Sequence, residues 1–305
     1  MRIVSLLPSA TEIVYALGLG EKLVVVSHDC DYPLEVRSKP VLSQSIITSE
    51  LASREIDKAV KQRIHRGLSV YHIDAELLGR LKPTLILTQE LCEVCAPSYS
   101  EVLEAAKILD ASPKIISLEP KRLGDILDNI QLVGELTAKQ ARAEALIAEL
   151  QERIDKVAEL AESAEHKPRV FCMEWLKPIY CAGHWVPEMV ELAGGEDWLG
   201  ELGEPSYEIE WEEVLRYDPE IIVLMPCGFH PERTLQEIDL VLEREGWEEL
   251  PAAKNDQVFI VDGSSYFNRP GPRIVTGLEI LAQIIHPEIF SDLAPPGSFI
   301  KLPLD

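Results

Sequence analysis

No stretch of about 20 consecutive apolar residues occurs in this 305-residue sequence, so nothing in it reads as a membrane-spanning helix. Its six cysteines are too few for a disulfide framework in a chain of this length and are expected to be thiols. Basic residues are scarce. There are 29 Lys and Arg against 52 Asp and Glu, a formal net charge of −23, which argues against nucleic acid or an anionic membrane surface as partner. There is no G-x-x-x-x-G-K-[ST] loop, no G-x-S-x-G elbow and no H-E-x-x-H helix, so the common phosphate-binding, hydrolase and zinc-protease signatures are missing. Gly18-Leu19-Gly20 closes a helical pattern instead of opening one, which excludes a dinucleotide loop there. No basic and apolar leader precedes the first strand pattern, Arg2 to Leu7. As given, the chain therefore reads as cytoplasmic; with a leader removed it reads as periplasmic or extracellular.

What is present is a soluble-type composition, 46% hydrophobic and 27% charged, organised around one long amphipathic run from Lys121 to Glu165. Leu123, Ile126, Leu127, Ile130, Val133 and Leu136 recur every three or four residues, and Leu146, Leu150, Ile154, Val157 and Leu160 resume the stripe. Pro120 and Pro168 mark its ends, and a break is expected near Gly134 to Thr137. On either side, strand patterns alternate with helical ones. Strands are expected at 2–7, 22–27, 84–88 and 114–118, then at 169–174, 221–225 and 258–262. Ser9 with Glu12 forms a capping-box pattern for the first helix, and the Pro-rich tail from Pro287 reads as irregular.

The halves echo one another. Glu12 to Gly18 parallels Glu188 to Gly194, and Glu76, seven residues before Pro83 and a strand, parallels Glu212, seven before Pro219 and a strand. The expected fold class is α/β: two similar parallel-sheet lobes joined by one long rigid α-helix, with a ligand cleft between the lobes. The lobes would be 1–120, with an insertion at about 43–69, and 166–305, with 121–165 as the linking helix.

The segments RIVSLLPSATEIVYALGLGEKLVVVSHDCDYP, LKPTLILTQ, AGGED and YFNRPGPRI, together with the long linking run, resemble the helical-backbone (class III) solute-binding proteins. Among these, the resemblance is nearest to the cobalamin-binding receptors of ABC importers. It implies a metal chelate held between two stiffly linked lobes and an importer permease as partner. It also implies that Glu76 and Glu212 dock on arginines of that transporter. The residues themselves offer a plainer reading of both, as helix-start carboxylates favoured by the macrodipole. Positions that wall the cleft with aromatics in the cobalamin receptors hold Tyr71, Gln89 and Glu174 here; Ser265 stands where those receptors carry an Asp, and Arg269 is kept.

The candidate site residues lie in strands or just past their ends. Ser9, His28, Tyr71, Glu174, Trp175, Trp185, Tyr266 and Arg269 are the candidate ligand contacts. The aromatics offer stacking faces or packing, and Arg269 offers a grip on an anion or a tie for its own loop. Cys92 and Cys95 have C-x-x-C spacing, which with Cys181 and His184 supplies sulfur and nitrogen donors for a transition metal. Cysteine also packs as a small hydrophobe, the expected role of Cys172, and His184 equally suits a helix start. Two functions follow. The first is a binding protein for a corrinoid or other metal chelate. The second is a cytosolic metal-binding or thiol-redox protein or enzyme using Cys92 and Cys95, with Glu174 as general base. The bound group is left open between cobalamin and a transition metal.

Overall fold

The computed structural model describes residues 1–89, 102, 103, 105 and 113–303. Its chain divides into two compact units. Unit one comprises Met1–Leu51, Glu55–Pro120 and Gly124–Ile147; unit two comprises Ala52–Arg54, Lys121–Leu123 and Ala148–Asp305.

Unit one opens with β1 (Ile3–Ser5), α1 (Pro8–Ala16) and β2 (Leu23–Val26), followed by β3 (Ser43–Ser45). The expected 43–69 insertion holds β3 and α2 (Ser53–His65), which is followed by β4 (Tyr71–Ile73). Then come α3 (Ala75–Leu81), β5 (Leu85–Thr88) and β6 (Lys114–Ser117). The order β2-β1-β5-β6 makes a wholly parallel sheet, and β3 pairs antiparallel with β4. Val4, Leu6, Val25, Leu42, Leu78 and Ile86 meet in its core, so the apolar strand runs are buried as a crossover sheet requires. The capping box expected of Ser9 does not form. Pro8 is the first helical residue, the N-cap is Leu7 without a side-chain bond, and Ser9 is buried inside the first turn. A proline at that position has no N–H to satisfy, which removes one of the donors a cap would serve.

The amphipathic run folds as two helices, α4 (Leu123–Leu136) and α5 (Gln140–Ala161), parted at 137–139. Gly134 lies at the parting because the first turn of α5 comes so close: a Cβ there would stand 2.5 Å from that of Ala143. Lys139 N–H closes on the Gly134 carbonyl at 2.7 Å, and Ala138 takes a positive φ of 57°. The longer of the two is α5. It passes from unit one to unit two without a break between Ile147 and Ala148.

Unit two continues with β7 (Val170–Trp175), β8 (Tyr180–Cys181), α6 (Val186–Leu192), β9 (Tyr207–Glu208) and α7 (Trp211–Tyr217). After these come β10 (Ile221–Leu224), β11 (Val258–Val261), α8 (Ile274–Ile285) and β12 (Phe299–Lys301). The sheet order is β12-β11-β10-β7-β8-β9, with β11, β10 and β7 parallel and the outer strands antiparallel. The tail is thus not wholly irregular. Phe299, Ile300 and Lys301 pair with Val261, Ile260 and Phe259 and cover the sheet edge.

The internal echo is structural. The parallel trio β1-β5-β6 of unit one has the same order as β7-β10-β11 of unit two. α3 and α7 each span seven residues and end on a left-handed residue, Lys82 at φ 46° and Asp218 at φ 56°. Each is followed by a proline and then the central strand. Gly18 and Gly194, which close α1 and α6, both have positive φ.

Candidate functional site

Because the central strands of each unit are parallel, their carboxyl ends share one edge, and the loops leaving that edge carry the polar side chains.

In unit one, the end of β2 leads to Ser27, His28 and Cys30. His28 is half-buried. Its Nδ1 lies 2.9 Å from the Ser43 hydroxyl, its Nε2 3.4 Å from Asp29, and its ring 5.3 Å from Tyr71. His28 and Tyr71 are thus brought together. Cys30 is not a ligand in waiting: it is buried, with its sulfur 3.1 Å from the hydroxyls of both Thr11 and Ser27. Ser9 is 2% exposed, turned into the unit.

Glu76 is exposed in the first turn of α3 and pairs with Arg80 one turn on. The cap of that helix is made by Asp74, whose carboxylate accepts the Leu77 N–H at 2.8 Å. In α7 the capping box is made by Glu210 and Glu213, and Glu212 is exposed between them. In both helices, therefore, the capping work falls to neighbours of the candidate docking carboxylates.

Cys92 and Cys95 lie outside the described residues. Among the described residues no group of three His, Cys, Asp or Glu side chains is arranged to hold a bare metal ion.

In unit two, the adjacent ends of β7, β10 and β11 carry Glu174 and Trp175, then 225–230, then 262–269. Glu174 is half-buried and accepts from the Ser206 hydroxyl at 2.6 Å. Burial pushes its carboxyl up to about 7, against the opposing pull of the Ser206 and Gly183 hydrogen bonds. Asp197 behaves alike. Burial raises it to about 6 although the Gly200 and Leu199 N–H groups bond it, and its buried Oδ2 has no hydrogen-bond partner among the described residues. Trp175 donates from Nε1 to the Ser53 carbonyl at 3.2 Å, Ala52–Arg54 being part of this unit, and its ring lies 5.1 Å from Phe229. The Arg233 guanidinium stands 4.5 Å over that same Phe229 ring.

Other predicted residues are placed differently. Trp185 is 5% exposed, and its Nε1 is spent on the Phe267 carbonyl at 2.8 Å. His184 has a left-handed backbone, φ 52°, and its ring stacks on Trp185 at 5.3 Å. Burial, then the charge of Lys121, lowers its pKa, which favours the neutral imidazole; its buried Nε2 has no hydrogen-bond partner among the described residues. Cys181 belongs to the core cluster with Phe171 and Met173. Its thiol is pushed up to about 11 by burial, so it stays protonated at neutral pH. Cys172 is fully buried, and burial raises its thiol well above the ordinary range, as expected of a packing residue. Tyr266 sits in a one-turn helix at the end of β11 with the Arg273 guanidinium 5.7 Å from its ring. Arg269 is half-buried in a loop that Gly271 N–H closes on the Arg269 carbonyl at 2.8 Å.

Two further groups lie at this edge: His230, which the sequence places in a strand-end loop as it does His28 and His184, and Asp262, which the reading missed. His230 follows β10, and Asp262 follows β11; Nδ1 of one lies 2.9 Å from Oδ2 of the other. The signal for Asp262 was its place as the last residue of the VFIVD strand pattern, and for His230 the Pro231 that opens the next helix. A groove of about 570 Å³ also exists in this unit, lined by residues including His166, Glu220, Asn255 and His286. It lies by the amino ends of β10 and β11, and none of the predicted site residues among the described ones lines it.

A family model described as "Periplasmic binding protein" matches residues 3–264. A protein named "Vitamin B12-binding protein" from Vibrio cholerae is 28% identical over 282 residues, covering 91% of this chain and 86% of its own length. An "Uncharacterized ABC transporter substrate-binding lipoprotein YvrC" from Bacillus subtilis is 26% identical over 298 residues, covering 95% of this chain and 82% of the relative. The crystal structure of the periplasmic vitamin B12 binding protein BtuF of Vibrio cholerae superposes with a TM-score of 0.67 at 25% identity, over 93% of this chain and 96% of that one.

Proposed function

We propose that this chain, which belongs to the periplasmic binding protein family, is the substrate-binding component of an ABC importer. In this reading it holds a corrinoid, or a metal chelate of similar build, at the carboxyl ends of its strands. The observation that carries the proposal is the near end-to-end match to a vitamin B12-binding protein, 91% of this chain against 86% of the relative. The site chemistry agrees with it. A chelate brings its own equatorial ligands, so the receptor needs aromatic and polar contacts and no bare-ion cage. Unit two offers contacts of that kind in its Trp175–Phe229 and Glu174–Ser206 pairs, and unit one, taken by itself, in its His28–Tyr71 pair.

The thiol-redox alternative gains nothing from Cys172 and Cys181, whose thiols are buried and held protonated. Place of action follows from kinship: relatives named periplasmic and lipoprotein support action outside the cytoplasm, and none of the comparisons supports a cytoplasmic one. No helix among the described residues is long and apolar enough to cross a membrane. Glu76 and Glu212 are the proposed docking points on a permease. Their support is their matched place in the repeated helix-turn-strand module and the capping done by their neighbours.

Gel filtration of the purified protein with cyanocobalamin tests the binding. The red chromophore is expected to travel with the protein, and its complete elution with the small molecules would overturn the reading.

A further inference from the structure

A carboxyl is set firmly at the carboxyl edge of unit two. Glu174 stands next to last in β7, and the ring of the following Trp175 lies 5.1 Å from that of Phe229. The Ser206 hydroxyl holds it from the facing loop. That hydroxyl accepts the Gly183 N–H at 3.2 Å and commits its own proton to Glu174 Oε2 at 2.6 Å. The loop is held in turn, because the Glu204 carbonyl accepts the His184 N–H at 2.6 Å and the Gly203 N–H returns to the His184 carbonyl at 2.9 Å. Gly183 permits the approach: a Cβ there would stand 2.4 Å from the Glu204 oxygen and 2.7 Å from the Ser206 nitrogen. Glu174 is nonetheless only half-buried, so part of it still meets solvent. Its surroundings lack a compensating cation. What opposes the effect of burial is the pair of hydrogen bonds from Ser206 and Gly183, and among the described residues no Lys or Arg pairs with it. Of the nearby guanidiniums, Arg233 is turned to Phe229 and Glu237, and Arg273 to Tyr266. A second carboxyl, Asp197, acts with Glu174 on the buried Cys172 thiol, so negative charge gathers here. An ionised carboxyl in that setting gains from a ligand that donates an N–H or O–H. It loses from one that brings another negative charge, and the apolar rings beside it weaken the screening of both effects.

We infer that Glu174, positioned by Ser206, sets the specificity of unit two for the rim of the bound chelate: it accepts a hydrogen bond from an amide or hydroxyl of that rim and rejects a carboxylate at the same point. The inference rests on the chelate-binding reading and adds the chemical class of the ligand's periphery. Ser206 is a positioning residue, because it acts only through Glu174.

The test uses two probes with the same ring and metal: dicyanocobinamide, whose rim carries amides, and dicyanocobyrinic acid, whose rim carries free carboxylates. Both are titrated at about pH 8.5, above the value of about 7 to which Glu174 is raised. The buffer holds about 0.15 M salt, in which exposed charges more than about 8 Å apart are largely screened. Wild-type protein is expected to prefer the amide probe. Glu174→Gln keeps an acceptor for Ser206 and removes the charge. It should weaken binding of the amide probe and tighten that of the acid, narrowing the preference about 10-fold or more, as expected for one charge-assisted hydrogen bond. Glu152→Gln, which neutralises an exposed carboxyl of α5, should keep the wild-type preference. A wild type without preference, or a preference that Glu174→Gln leaves intact, overturns the inference and leaves the chelate reading standing. Equal narrowing by Glu152→Gln assigns the effect to net charge, and equal losses for both probes in Glu174→Gln mark a structural role; either result likewise overturns it. Binding of neither probe by the wild type removes the corrinoid reading and the inference with it.

Discussion

Glu174 sets a pH dependence that belongs to a single carboxyl. Its pKa rises from an ordinary 4.5 to about 7 in the folded chain. Between those values the folded state holds a proton that the unfolded state has lost, so stability falls as pH rises through that window. At roughly 1.4 kcal/mol per pH unit the cost reaches on the order of 3 kcal/mol above pH 7. Glu174→Gln keeps an acceptor for Ser206 and removes the charge. Urea unfolding is therefore expected to show the variant more stable than wild type at pH 8 and nearly equal at pH 4.5. A gain of the same size at both values would contradict the assignment. At this scale the sequence was a partial guide. Glu174, Trp175 and Arg269 could be placed at strand ends because strand patterns are periodic. The burial of Trp185 and Cys181 could not, since the Phe267 carbonyl and the Phe171–Met173 core that enclose them lie on other segments. The pairing of His230 with Asp262 was hidden for a related reason: the two are 32 residues apart.

The connecting helix depends on two contacts that periodicity does not report. In unit two, Arg153 of α5 grips Glu279 of α8 with two hydrogen bonds of 2.9 and 2.7 Å and reaches Thr276 at 3.0 Å. Glu279 is only 12% exposed at its side chain, so removing its partner strands a charge. Arg153→Ala is expected to cost about 3 kcal/mol, measured by chemical unfolding, whereas the double variant Arg153→Met with Glu279→Leu should lie closer to wild type. Within unit one, Gly134→Ala drives a methyl to 2.5 Å from Ala143 and should cost about 1–3 kcal/mol. Adding Ala143→Gly should return part of that loss, and a cost unchanged by the second substitution would refute the steric account. The amphipathic stripe and its interruption were legible because leucines and isoleucines recur at helical spacing on both sides of Gly134. That the chain changes unit between Ile147 and Ala148, inside α5, was not, since the stripe has the same period throughout. The edge strand β12 was hidden for another reason. Its three residues follow a Pro-rich segment, and their pairing with β11 is a tertiary fact.

For the molecule as a whole, the duplicated arrangement of strands and the matched α3 and α7 modules give the chain one exposed carboxylate at the same point of each unit. Replacing both Glu76 and Glu212 with Ala is expected to leave chelate affinity unchanged and to lower stimulation of the importer's ATPase about 10-fold. Equal stimulation by the double variant would remove these two residues from docking. The fold class was readable because alternating strand and helix patterns with a long stripe between them admit few architectures. Ligand chemistry was less so, because it depends on which few side chains the strand ends bring together. The central claim is that this chain binds a metal chelate, and calorimetric titration tests it most directly. With cyanocobalamin the account predicts one site per chain and a dissociation constant of about 1 µM or tighter. The contradicting result is an absence of binding heat for cyanocobalamin, hemin and a ferric hydroxamate alike at ligand concentrations of about 50 µM.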